Sequence, residues 1–402
     1  MQIPTHWRRA EIMLLLLAAA MPLSFGVWQA LLNNFVIERA GFTGAEIGLL
    51  QSVREIPGFL AFTVIFVLLL VREQRLAFLA LIATGLGVAL TGWFPSTVGL
   101  LLTTLLMSTG FHYYEALRTS LALQWLPKET SAIWMGRMLA AGSLASLAAY
   151  GLVWLTSDWL GMEYHWIYLL GGGITVAMVA LIWLLFPSFP QPHSQHKKLI
   201  LRKRYWLYYA LVFMSGARRQ IFVVFAGFLM VEKFGYSVGD IAQLFILNHL
   251  LNLFVAPRVG RFIVRFGERN ALTIEYIGLV LVFGGYALVQ SATAAAVLYI
   301  VDHLFYSMAI AIKSYFQKIV DERDIAASAA VSFTINHIAA VVIPVLFGLL
   351  WLASPAAVFW CGAAMAGISL LLAQNIPALP GRGNEARFGR VPGGERAGPE
   401  AA

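Results

Sequence analysis

One ten-residue pattern occurs twice in this chain. Glu38-Arg39-Ala40-Gly41-Phe42-Thr43, closing on Glu46-Ile47, returns as Glu232-Lys233-Phe234-Gly235-Tyr236-Ser237, closing on Asp240-Ile241. From Gly41 to Gly235 the shift is 194 residues, close to half of the 402-residue chain. Each copy joins two long apolar stretches, so the repeated unit is a half-protein of membrane spans. A period this long marks a duplicated helical bundle, not a solenoid.

Charge content fixes the solvent. Only 12% of residues are charged and 60% are hydrophobic, against about 25% charged in soluble domains. The chain reads as an integral membrane protein. Cys361 is the single cysteine, which excludes an intramolecular disulfide and a zinc–cysteine site. The net charge of +8 does not point to nucleic acid, because the basic residues collect in short loops, as orientation in a membrane requires. Arg8 and Arg9 precede an apolar run longer than the ~7–15 residues of a signal-peptide core. The second half has a counterpart to that run, so a retained first span is expected.

Spans of about 20 apolar residues are predicted at 11–36, 45–71, 76–95, 98–121, 133–156 and 165–187, then at 205–231, 239–263, 271–290, 294–317, 326–352 and 355–376. The expected organisation is a six-helix bundle (1–187), a linker (188–204), a second six-helix bundle (205–376) and a disordered tail (377–402). Pro187, Pro190 and Pro192 open the linker, and His193, His196, Lys197, Lys198, Arg202, Lys203 and Arg204 make it basic. One set of loops holds Arg8, Arg9, Arg72, Arg75, Lys128, the linker cluster, Arg258, Arg261, Arg265, Arg269, Lys318 and Arg323; the other holds only Arg39 and Lys233. That asymmetry places the termini and the linker in the cytoplasm, with a bacterial inner membrane as the expected location.

Six plus six spans, a basic central loop and an internal repeat resemble the major facilitator superfamily over residues 5–376. That family carries G-x-x-x-D-R-x-G-x-R between spans two and three, and again between eight and nine. Gly260, Arg265, Gly267 and Arg269 keep the second copy's spacing, with Val264 in the aspartate's place; Arg72 and Arg75 remain of the first, with Val67 and Val71 for its glycine and aspartate. The resemblance implies two pseudo-symmetric all-α bundles that rock about a mid-membrane site, and assigns Arg72, Gly260, Arg265, Gly267 and Arg269 to a cytoplasmic gate. It also implies that spans five and eleven, rich in Gly, Ala and Ser, pack closely against spans eight and two.

Charge at mid-membrane is costly, so ionisable residues there are functional candidates. Spans three, six and twelve carry none in their apolar stretches, and span nine has only Glu275, expected near its cytoplasmic end. Spans two, four, seven, eight, ten and eleven carry Arg54, Glu55, His112, Glu115, Arg118, Arg218, Arg219, His249, Asp302, His303, Lys313 and His337. Arg54 and Glu55 are expected roughly 12–15 Å below the periplasmic surface, Arg218 and Arg219 about 20 Å from the cytoplasmic one. Adjacent residues on a helix diverge, so Arg54 and Glu55 are expected to find partners elsewhere, either as a gate or as a binding site. His249 occupies the repeat position of Glu55, and Asn248 that of Arg54. Tyr113, Tyr114, Tyr306 and Tyr315 are candidate cavity walls. Substrate candidates are Arg54, His112, Tyr113, Arg218, Arg219, Asn248, His249, Asn336 and His337. Proton-coupling candidates are Glu55, Glu115, Asp302 and His303. Glu115–Arg118 reads equally well as a structural i,i+3 pair.

Five permanent cations (Arg54, Arg118, Arg218, Arg219, Lys313) outnumber three acids (Glu55, Glu115, Asp302) among these residues. Arginine's fork suits carboxylate or phosphate, so the expected solute is small and anionic or zwitterionic. No G-x-x-x-x-G-K-[S/T] loop occurs, which excludes ATP drive by this chain and leaves proton coupling as the simplest source of work. The expected protein is a monomeric secondary transporter without cofactor, metal or nucleic-acid partner. Two alternatives stay open: a non-transporting sensor, and an intramembrane enzyme built on His112, Glu115, His249, Asp302 and His303.

Overall fold

The structure, a computed structural model, describes residues 8–126, 131–190, 201–321 and 325–389. Helices account for nearly all of them. We label α1 (Ala10–Ala40), α2 (44–67, with a 3₁₀ turn at Ala61–Thr63), α3 (Glu73–Thr91), α4 (Thr97–Trp125), α5 (131–159), α6 (Tyr164–Leu185), α7 (Lys203–Phe234), α8 (Val238–Phe266), α9 (Glu268–Leu288), α10 (Ala292–Ile319), α11 (Ile325–Ala353) and α12 (Pro355–Gln374). Every end lies within four residues of its predicted place. Among the described residues, nine of these helices are long and apolar enough to cross a membrane. The other three, α2, α4 and α8, carry Arg54, Glu55, His112, Glu115, Asn248 and His249.

The repeated pattern is a pair of matching helix junctions. Gly41 ends α1 at φ 64°, and Gly235 follows α7 at φ 67°, a left-handed backbone that only glycine adopts without strain. The next amides close both ends, Phe42 N–H onto Val36 O (2.9 Å) and Tyr236 N–H onto Met230 O (3.1 Å). Thr43 with Glu46, and Ser237 with Asp240, then form capping boxes for α2 and α8. Both junctions stop one helix and start the next within a few residues.

The chain divides into two compact units. One comprises Met1–Gln195, Gly227–His249 and Pro344–Leu352; the other comprises His196–Ala226, Leu250–Ile343 and Ala353–Ala402. These boundaries run through α7, α8 and α11, unlike the expected halves. Within the first unit, local contacts hold the transferred ends. Asn34 donates to Tyr236 O (2.7 Å), Trp351 donates to Glu232 (3.0 Å), and Ser52 Oγ accepts from Val345 N–H (3.0 Å). Glycines allow the closest approach: a Cβ on Gly48 would strike the Pro344 carbonyl and lie 3.0 Å from Gly348 Cα. Gly48→Leu should therefore cost at least the ~1–3 kcal/mol of an overpacked site, read as a lowered melting temperature. Unchanged melting would mean that these helices separate freely. The small residues of α5 also face α1, where a Cβ on Gly26 would lie 3.0 Å from Ala149 Cβ.

In the second unit, Tyr286 stacks on Phe359 with ring centroids 5.0 Å apart, joining α9 to α12. The phenyl ring of Phe305 on α10 fills the space beside Gly278. Residues 377–389, expected to be disordered, are folded beneath this unit. Tyr315 Oη donates to Glu385 O, Trp206 Nε1 donates to Gly389 O (3.0 Å), and Arg387 N–H donates to Asn375 O (2.8 Å). Composition suggested disorder because it does not register such anchoring bonds. Tyr315 is accordingly a buried strut and not a cavity wall, and Tyr114 is likewise fully buried. The linker residues His193, His196, Lys197 and Lys198 lie outside the described residues.

Candidate functional site

Arg218 and Arg219 are consecutive on α7, so their side chains leave the helix about 100° apart. Each finds an aromatic seat on a different neighbour. The Arg218 guanidinium lies over the Tyr276 ring of α9, 4.5 Å from its centroid; that of Arg219 lies over Tyr306 of α10, also at 4.5 Å. Cation–π seating of this kind holds arginine in apolar surroundings without neutralising it. Their exposures differ sharply: Arg218 is 3% exposed, whereas Arg219 is open. Arg219 is therefore the accessible cation.

Acids surround the buried one. Arg218 Nη2 lies 3.9 Å from Glu275 Oε1. Asp302 on α10 is buried and lies in the electrostatic reach of both Arg218 and Arg219. His303, beside it, binds Tyr299 O through Nδ1 (3.0 Å) and packs edge-on against Phe222 with centroids 5.5 Å apart. The sequence placed Glu275 near the cytoplasmic end of span nine and did not count it among the site candidates. It has no exposed surface. An isolated acid in an apolar stretch is itself the signal that could have found it.

The helices break beside these charges. A π-helical turn, Phe222–Ala226, follows Arg218 and Arg219, and a 3₁₀ turn, Ser307–Ala309, follows Tyr306. Such interruptions cluster at functional sites and supply the discontinuous helices of transporter cores.

A second polar centre lies in the first unit. Arg54 pairs directly with Glu55 and donates through Nε to Gln51 Oε1 (2.7 Å). The expectation that neighbours cannot meet fails here, because arginine's long stem bends back across the turn. Ser108 of α4 donates to Arg54 O and stands 3.0 Å from His112 Nδ1. His112 Nε2 lies 3.9 Å from Glu55 Oε2. Tyr113 Oη is 2.8 Å from Thr63 Oγ1, and Glu115 forms its i,i+3 pair with Arg118 at 3.0 Å. His249 stacks edge-on with Tyr150 (5.3 Å), while Asn248 is buried with neither side-chain polar atom bonded among the described residues. On α11, His337 is buried against the Phe333 ring (4.2 Å), and Asn336 Oδ1 abuts Gly216.

The gate motif also has an acid that its pattern does not show. Val264 is 88% exposed and replaces the aspartate with nothing ionic. Gly267, at φ 82°, turns the chain into α9. Glu268 follows, buried, and takes Lys318 Nζ at 2.6 Å and Ser314 Oγ at 2.7 Å from the end of α10. Glu73 opens α3 in the same way and accepts from Gln124 of α4 (2.8 Å). Each acid sits in the first turn of its helix, where the dipole favours it. Arg72 and Arg265 are exposed and Arg269 is half-buried.

Comparisons with known proteins agree with this geometry. No curated protein matches in sequence. Among solved structures, the nucleoside transporter NupG superposes with TM-score 0.76 at 16% identity over 91% of this chain and 99% of that one. A bacterial homologue of the human lysosomal transporter Spinster, in an inward-facing, unoccupied conformation, superposes with TM-score 0.69 at 15% identity, covering 90% and 94%. At such identities the likeness speaks for the fold. Residues 13–344 match the sequence pattern of the Major Facilitator Superfamily, and the chain is a multi-pass membrane transporter of that superfamily.

Proposed function

We propose that this transporter moves a small anionic or zwitterionic solute by alternating access, with a proton as the coupling ion. The observation that carries the reading is Arg219: an exposed guanidinium seated on Tyr306, about one helical turn from the buried Asp302 on α10, with both helices interrupted nearby. An anion entering there finds bidentate donors without the cost of burying a new cation. Asp302, deprived of Arg219's charge by that anion, then needs a proton to stay neutral in apolar surroundings.

Thermal stabilisation of the purified protein by a solute panel tests this reading. Monocarboxylates, phosphate and amino acids should raise the melting temperature, whereas simple cations and neutral sugars should not. Nucleosides belong in the panel because of the NupG likeness. Stabilisation by nucleosides alone would replace the anion reading with an uncharged-ring one.

The orientation, with termini inside a bacterial inner membrane, is also part of this proposal. In a Cys361→Ser background, cysteines placed at Ser96 or Gly161 should react with an impermeant reagent from outside. Cysteines at Arg75 or Gly383 should react only after permeabilisation. External reaction at Gly383 would reverse the topology.

A further inference from the structure

α5 and α8 come from different copies of the repeat, and the first unit holds α5 together with α8 as far as His249. Asp158 stands at one end of the seam between them, carried by the π-helical turn Leu155–Trp159 that closes α5. Its carboxylate lies so close to the first turn of α8 that a Cβ on Gly239 would strike both carboxylate oxygens. Further along, Tyr150 of α5 packs edge-on against Phe245 and His249 of α8, with ring centroids 5.1 and 5.3 Å apart. Gly239, Ala242, Phe245 and His249 follow one another at steps of three or four residues, so they line one face of α8. Ala242, in the middle of that face, has no exposed surface.

The contact at Asp158 is of a kind that can be released. Asp158 is exposed, and its carboxylate accepts from the neighbouring Ser157 hydroxyl (2.9 Å). What α8 offers it is the partial positive charge of a helix N-terminus, a weak attraction at an exposed site. Water replaces such a partner readily. The other junction is built differently. There a Cβ on Gly44 would strike the Trp351 indole, which donates to Glu232 (3.0 Å). Leu352 occupies the repeat position of Asp158, so the carboxylate is present in one copy only.

We propose that Asp158 and Gly239 form a latch on the outward path: the carboxylate docked on α8 holds the seam shut, and its release lets α5 and α8 part. Gly239 belongs to the latch because a residue without a Cβ lets the carboxylate reach the helix end. Asp158 is a positioning residue that acts through α8 and touches no solute. The latch does not depend on the anion reading. It rests on alternating access and on the orientation proposed above.

The experiment uses right-side-out membrane vesicles that carry the full chain. In a Cys361→Ser background, Ala242→Cys reports separation of the seam. Ser96→Cys, at the exposed cap of α4, reports the outer surface. An impermeant maleimide is added outside, and its rate of reaction at position 242 follows the fraction of time that α5 and α8 spend apart. That rate should be slow with the latch intact. Asp158→Asn should raise it about two- to fivefold, the size of a charge's interaction with a helix N-terminus. Gly239→Ala should raise it about 5- to 100-fold, because the added methyl overpacks the closed seam. Alanine is the better helix former, so α8 itself is not weakened. Asp158→Ala/Gly239→Ala gives the methyl room and should fall back to the Asp158→Asn range, a rescue that a general packing defect would not give. The rate at position 96 should stay the same throughout.

Equal rates at position 242 in all variants, or a double variant as fast as Gly239→Ala, would overturn the latch. An equal rise at position 96 would overturn it as well, because it marks general loosening. If Ser96→Cys does not react from outside, the orientation fails, and the latch fails with it.

Discussion

Arg219→Ala should weaken binding of the transported anion by about 10- to 150-fold, the equivalent of the ~1.5–3 kcal/mol carried by a hydrogen bond to a charged group. The protein should still fold, because Arg219 is exposed and Asp302, left without its charge, takes up a proton. Arg219→Lys should recover only part of the affinity, since an ammonium neither forks onto a carboxylate nor lies flat on Tyr306. Arg218→Ala is expected to behave differently. It removes the cation 3.9 Å from Glu275 and leaves a buried acid unmatched, a change that costs about 3–5 kcal/mol where a buried pair is broken. Its signature should be a lowered melting temperature, with binding affected through stability and coupling. Titration of both variants with the stabilising solute, beside their melting curves, separates the two roles. Unchanged affinity in Arg219→Ala would remove the anion site from α7.

The sequence does not say which of two adjacent arginines is accessible. Periodicity places Arg218 and Arg219 on divergent faces, but only the packing of α9 and α10 decides which face is covered. The helices themselves were legible because apolar run length is a direct reading of the solvent. The junctions were legible because Gly41 and Gly235, each followed by a hydroxyl residue and an acid three positions later, spell a stop and a start in local chemistry. Glu275 was not counted among the candidates because it is the single acid of a span otherwise poor in charge. That acid should have been weighed by its cost and not by the company it keeps. The Arg54–Glu55 pair was excluded by helical geometry at the Cβ level, which ignores the reach of an arginine stem.

The gate residues show the limit of motif matching. Sequence spacing preserved Gly260, Arg265, Gly267 and Arg269 and registered the aspartate as lost. The acid is present one turn further on, as Glu268 in α9, gripping Lys318. Glu73 repeats the arrangement at α3. A pattern defined by position does not register an acid that stands elsewhere in the same helix junction: Glu268 lies four residues after Val264 and Glu73 two after Val71, each opening its helix.

Asp302→Asn should leave exchange of solute down its own gradient intact while ending accumulation driven by a pH gradient. Asp302 is buried within reach of Arg218 and Arg219, and its repeat counterpart is Ser108, so the acid is present in one half only. An ionised carboxylate at such depth is tolerated only while a cation compensates it. When the anion claims Arg219, that compensation is withdrawn and a proton must replace it. The amide is isosteric and permanently uncharged, so it mimics the protonated state in both access conformations. Solute can still enter, reorient and leave, but no proton is carried. Counterflow in reconstituted vesicles reads the first activity, and uptake against an imposed pH step reads the second. With counterflow near wild type, accumulation should collapse to equilibration. Loss of both activities together, or loss of the folded protein, would assign Asp302 to a fixed bridge with the arginines and leave the proton to another group.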